Sequence, residues 1–206
     1  SVTVGFGAGA FAILASFFIV TALGGFRLVG AGLAVSTALF IVPLLVAAFG
    51  EELLFRGYLL QNLVDVGRPV FGVVFSSVLF WLIHGFNPAA WSSPFVTINL
   101  LLGGVMLALA YMASGNIWFP TAMHFAWNYC QGPIMGVHVS GMKMESVVGL
   151  EVAADANPYL TGGEFGLEGS AVSAGIQIVL ILALFAVYRA NRRSKEPAPG
   201  LNAKVV

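Results

Sequence analysis

The 206 residues are 59% apolar and 9% charged, with a mean hydropathy of +0.93. No soluble domain of that size has a core able to hide so much apolar surface, so lipid is the solvent for much of the chain. Nine basic and nine acidic residues cancel, which leaves no basic footprint for a nucleic acid. The single cysteine, Cys130, excludes an internal disulfide and reads as a small packing residue.

A helix needs about 20 apolar residues to cross roughly 30 Å of hydrocarbon. The chain opens at Ser1 inside an apolar run, without an initiator Met, and reads as processed or as a piece of a longer protein. Val2 to Phe26 carries no charge and is the first span. Leu28 to Phe49 begins a second apolar stretch that runs through Glu51, Glu52 and Arg56 to Asn62, with Pro43 placed to kink it. Val70 to Phe86 is the third span, bounded by Gly67-Arg68-Pro69 and Asn87-Pro88. Phe95 to Ala113 is the fourth, ended by Ser114-Gly115-Asn116. Pro120 suits the first turn of a fifth, short helix that carries His124 and Asn128 and stops near Gly132-Pro133. Residues 136–169 are polar, glycine-rich and acidic, and read as an extramembrane loop. Ala171 to Tyr188 is the last span, followed by Arg189, Arg192, Arg193 and Lys195.

The expected fold class is therefore all-α, a polytopic membrane bundle of about six transmembrane helices. Residues 1–190 form one domain with its motif-bearing core at 45–132, and 191–206 form a disordered basic tail. Loops rich in Lys and Arg stay in the cytoplasm, so the basic cluster after the last span places the C-terminus inside, Arg68 with it, and the 136–169 loop outside. Arg27 and Lys143 count against that arrangement.

Ionisable groups within a transmembrane helix cost about 2.5–3.5 kcal/mol each on insertion scales, so those present are functional or paired. Glu52 and Arg56 are four residues apart on one helix face and can neutralise each other. Glu51 lies about 100° round the helix and is the carboxylate left over for chemistry. The plainer alternative makes 51–56 the interfacial end of a shorter helix, snorkelling into headgroups. His124 and Asn128 also share a face; alone, such a pair more often joins helices. His84 alone is as well read as a packed histidine. His138, in a glycine-rich turn, receives no role. A spare glutamate, two histidines and an asparagine on three apolar helices make joint sense if they converge on one water or one metal ion.

The pattern resembles the CPBP intramembrane proteases, which include eukaryotic type II CAAX prenyl proteases and bacterial Abi-type bacteriocin-immunity proteins. Their Glu-Glu-x-x-x-Arg, Phe-x-x-x-His and His-x-x-x-Asn elements correspond in order to Glu51-Glu52 with Arg56, Phe80 with His84, and His124 with Asn128. The flanks Phe55-Arg56-Gly57-Tyr58, Asn87-Pro88 and Trp118-Phe119-Pro120 are similar too. The resemblance implies that Glu51 is the general base, that His84 shares its water, and that His124 and Asn128 steady the oxyanion. Glu52 and Arg56 would hold the helix in place. The family has also been described as metal-dependent, and Glu51, His84 and His124 form a set that zinc accepts. The sequence requires no cofactor, and a metal-free, glutamate-driven reaction is the leading expectation.

The activity expected is that of an intramembrane endopeptidase, glutamic or metallo, in a prokaryotic plasma membrane. Its substrate is a peptide or membrane protein, hydrophobic or lipid-modified in the CAAX manner. One rival is a non-catalytic immunity-type membrane protein, which has no need of a complete set of Glu51, His84, His124 and Asn128. Another is a proton-coupled transporter using Glu51 and the histidines, against which stands the absence of an inverted repeat. Oligomeric state is not legible.

Overall fold

The computed structural model describes residues 1–32 and 35–194; Lys195 and the rest of the tail lie outside the described residues. Helix α1 (Val2–Ala22) forms because nothing in its uncharged run interrupts it until Leu23-Gly24, where Gly24 takes φ +81°. One of its faces is small: Gly5 and Gly9 lie a turn apart against α6 (Trp118–Tyr129), and a Cβ at either would meet the backbone of Phe119 or Met123. Small residues at this spacing let two backbones approach where lipid supplies no hydrophobic drive.

The second span does not begin at Leu28. Strand β1 (Phe26–Ala31) pairs antiparallel with β2 (Val148–Val152), Phe26 opposite Val152, with an irregularity between Leu28 and Gly30. The helical bundle thus carries a small two-stranded sheet among its described residues. A short apolar run has no period that separates strand from helix, and a distant partner decided this one. The helix starts after a 3-10 turn (Val35–Phe40): α2 (Ile41–Glu52) passes through a π-helical stretch (Leu53–Leu60) into α3 (Gln61–Asp65). Pro43 falls in the first turn of α2, directly after the 3-10 turn. The i→i−4 ladder is also interrupted later, at the π turns.

Helix α4 (Pro69–His84) starts with proline in its first turn, and α5 (Pro94–Ser114) is capped by the Ser93 hydroxyl and closed by Gly115 in the left-handed conformation. Helix α6 continues as π turns over Cys130–Ile134. After the four-residue α7 (Pro158–Thr161), the Ser170 hydroxyl caps α8 (Ala171–Arg193), which runs beyond residue 190. Among the described residues four helical stretches are long and apolar enough to cross a membrane: Val2–Ala22, Thr37–Asp65, Pro94–Ser114 and Ala171–Arg193. By length α4 and α6 fall short, at 16 and 12 residues. Helix α5 packs against both α4 and α8, while α6 is enclosed by α1, α2 and α5.

Residues 136–169 fold back as a cap rather than standing off the bundle. Val137, Val139, Phe165 and Leu167 are buried, and the 3-10 turn Leu167–Gly169 packs on α5 and α8. That turn carries Glu168 into the bundle beside the residues described next.

Candidate active site

Glu51 and Glu52 close α2, and the π-helical stretch starts at the next residue; such turns are frequent at functional sites. Glu52 and Arg56 are both fully buried, and Arg56 Nη1 donates to Glu52 Oε1 at 2.8 Å. Arg56 Nη2 donates to the Gly104 carbonyl at 3.0 Å. A Cβ at Gly104 would lie 2.7 Å from Ser77 Cβ, so a glycine is what lets α5 come this close to α4. The guanidinium also stacks over Phe80, 4.8 Å from its centroid, and Phe80 meets Phe55 edge to face. The pair expected from the four-residue spacing is present, and a further bond joins it to the site. Glu52 Oε1 also lies 3.0 Å from His124 Nδ1.

These contacts fix both histidine tautomers. His84 Nδ1 is 2.7 Å from the Phe80 carbonyl, which only accepts, so Nδ1 carries the proton. His124 Nδ1 likewise donates to the Glu52 carboxylate. In the neutral rings both Nε2 atoms are therefore lone pairs, and both turn toward Glu51 Oε2, at 3.8 Å from His84 and 4.0 Å from His124. Glu51 Oε2 has no hydrogen-bond partner among the described residues, although the side chain as a whole is 28% exposed. Three acceptors around one point call for a donor between them. A water, with two protons and a reach of about 2.8 Å, fits such separations.

Asn128, one turn beyond His124, leaves its Oδ1 buried with no partner among the described residues. Together with His84, His124 and Phe80 it lines a cavity of about 40 Å³. At about 10–15 Å³ per water that holds a few waters and no bulky ligand. Among the described residues no group of three His, Cys, Asp or Glu side chains is placed to hold a metal ion. Ligands about 2.0–2.1 Å from a tetrahedral zinc lie about 3.3 Å apart, and the Glu51–histidine separations are wider.

The same cavity is lined by Asn99, Gly103, Glu168 and Gln177, none of which the sequence reading selected. Glu168 arrives from the cap, its Oε2 accepting from the Ser140 backbone N–H at 2.6 Å and the Ser140 hydroxyl at 2.9 Å. Burial raises the Glu168 carboxyl above the usual carboxylate range, against the Ser140 donors and, when they are protonated, His84 and His124, which pull it down. Asn99 and Gln177 carried a signal, since amides inside apolar helices need partners as ionisable groups do. Glu168 carried none beyond being an acid just before a helix cap. His138, given no role, sits apart, its ring nitrogen 2.8 Å from the Glu164 carbonyl.

Residues 33–130 match the family described as type II CAAX prenyl endopeptidase, Rce1-like. No curated protein and no solved structure matches the chain. The matched stretch holds Glu51, Glu52, Arg56, His84, His124 and Asn128 and ends before Glu168 and Gln177. The family matched over residues 33–130, a little under half of the chain, is the one that its three motifs resemble.

Proposed function

We propose that this protein is an intramembrane endopeptidase in which Glu51 activates a water to cleave a peptide bond in a hydrophobic or lipid-modified, CAAX-type substrate. The observation that carries this reading is the convergence of Glu51 Oε2 with the two Nε2 lone pairs at 3.8 and 4.0 Å. A water between them donates to two acceptors at once, which exposes its lone pair to a carbonyl carbon and gives its proton a ready receiver. Neutral His124 is an acceptor in this arrangement. It becomes an oxyanion donor only after taking a proton, whereas the Asn128 amide offers its N–H₂ throughout. Glu52, sharing one oxygen between Arg56 and His124, keeps that imidazole turned toward Glu51 and steadies it once charged.

The chain is proposed to cross a prokaryotic plasma membrane about six times, with α4 and α6 as short crossings enclosed by longer neighbours. The start of α4 and Arg189, Arg192 and Arg193 line one cleft at the same end of the bundle, which supports a cytoplasmic C-terminus.

The test is hydrolysis by purified protein of a panel of hydrophobic peptides, prenylated and not, with and without a strong chelator. Glu51→Gln keeps the shape of the side chain and removes the base, so turnover should disappear while thermal stability in detergent is kept. Chelation should leave the wild type active. Wild-type turnover by Glu51→Gln, or stoichiometric zinc lost together with activity, overturns the mechanism.

A further inference from the structure

The wall of the cavity formed by the cap and α8 is made of acceptors whose identity the hydrogen-bond network itself settles. Asn99 Nδ2 donates to two carbonyls, Phe95 O at 2.8 Å and Ser170 O at 2.9 Å, so its Oδ1 faces Gln177. Gln177 must then donate through Nε2, at 2.9 Å, and its Oε1 is left over. That oxygen is buried without a partner among the described residues, and a Cβ built on Gly103 would lie 3.5 Å from it. Glu168 keeps one carboxyl oxygen on Ser140 and lines the same cavity, with His84, His124 and Asn128. An unpaired acceptor held this rigidly inside a bundle costs stability unless something supplies it with a donor.

Peptide hydrolysis turns an amide nitrogen, with at most one N–H, into an amine that carries more protons and needs both a proton source and acceptors. We propose that Glu168 and Gln177 form the leaving-amine side of the site: Glu168 delivers the proton to the scissile nitrogen, and Gln177 Oε1 accepts an N–H of the departing amine. The proposal rests on the endopeptidase reading above. As Glu51 takes one proton from water, the hydroxide oxygen bonds to the carbonyl carbon. When the C–N bond breaks, its electron pair stays on nitrogen and takes the proton of the Glu168 carboxyl. Cavity water then returns the Glu51 proton to Glu168, so the cycle consumes one water and releases one acid and one amine. The raised affinity of the Glu168 carboxyl for its proton fits this duty. The titratable groups that face it are His84 and His124, with Ser140 the neutral donor.

A leaving group that needs no proton separates this role from a structural one. The probes are a cleavable peptide amide and the para-nitrophenyl ester of the same acyl group. Glu168→Gln keeps the Ser140 contact and should lower kcat on the amide by about 10²–10³, with ester turnover within about threefold of wild type. Equal losses on amide and ester, or an unchanged amide rate, overturn the proposal. Should Glu168→Gln fail to fold, Gln177→Leu reads the same contrast without touching the cap, with an amide-selective loss of about tenfold. An equal effect on both probes again overturns it. Glu51→Gln is the control that keeps the two readings apart. It should silence both probes, and full activity of that variant on both would sink the endopeptidase mechanism itself.

Discussion

Glu52 holds the ring of His124: its Oε1, already bonded to Arg56 at 2.8 Å, lies 3.0 Å from His124 Nδ1 and so turns Nε2 toward Glu51. The adjacent glutamates thus lie at opposite nitrogens of one histidine. Glu52→Gln leaves Arg56 buried with a neutral partner, which should cost about 3–5 kcal/mol. An amide can still accept from His124 but no longer stabilises it when charged. Thermal unfolding and turnover should therefore fall together, whereas Glu51→Gln should lose turnover alone; the same pattern for both variants would refute the division of roles.

Arg56→Lys tests the fork geometry behind that arrangement. A lysine keeps the charge but cannot bond Glu52 and the Gly104 carbonyl while stacking flat on Phe80. The expected result is a lower unfolding temperature despite an unchanged net charge. A variant as stable as wild type would show that charge alone suffices.

Asn128 shares the cavity with both histidines, and in the proposed mechanism its amide is the donor that needs no prior protonation. Asn128→Ala should lower kcat by about 10²–10³ with KM little changed, because the bond strengthens only as the oxyanion forms. A rise in KM at constant kcat would instead make Asn128 a substrate-binding group.

Glu168 couples stability to pH with a definite sign. Its folded-state proton affinity is raised by burial, so its contribution is present in full below the unfolded carboxylate pKa, about 4.3. The contribution is lost as pH rises through the higher folded value. Glutamine does not titrate. The unfolding temperature of Glu168→Gln relative to wild type should therefore increase from acid toward neutral pH, and a difference that does not change with pH would contradict the burial of that carboxyl.

Topology is open to labelling. Single cysteines at Gly163 and Ser194, both exposed, in a background lacking Cys130, should react with an impermeant reagent from opposite sides of the membrane. Reaction from one side would remove a crossing, and the short α4 and α6 are the first to question.

What the sequence determined by itself is whatever depends on spacing within one helix or on composition. Hydropathy set the solvent as lipid, the four-residue step paired Glu52 with Arg56, and three ordered motifs marked Glu51, His84, His124 and Asn128 as one set. The tertiary structure decided what depends on distant partners. Leu28 lies in a strand because residues 148–152 supply its hydrogen bonds. His124 turns the lone pair of Nε2 toward Glu51 because a glutamate 72 residues away takes the proton of its other nitrogen. Glu168 reaches the cavity because the cap buries Phe165 and Leu167 just before it in the chain. A periodicity records which face of an element is apolar, whereas the partner across a packed interface is chosen by the whole fold, so no local pattern could have carried these three contacts.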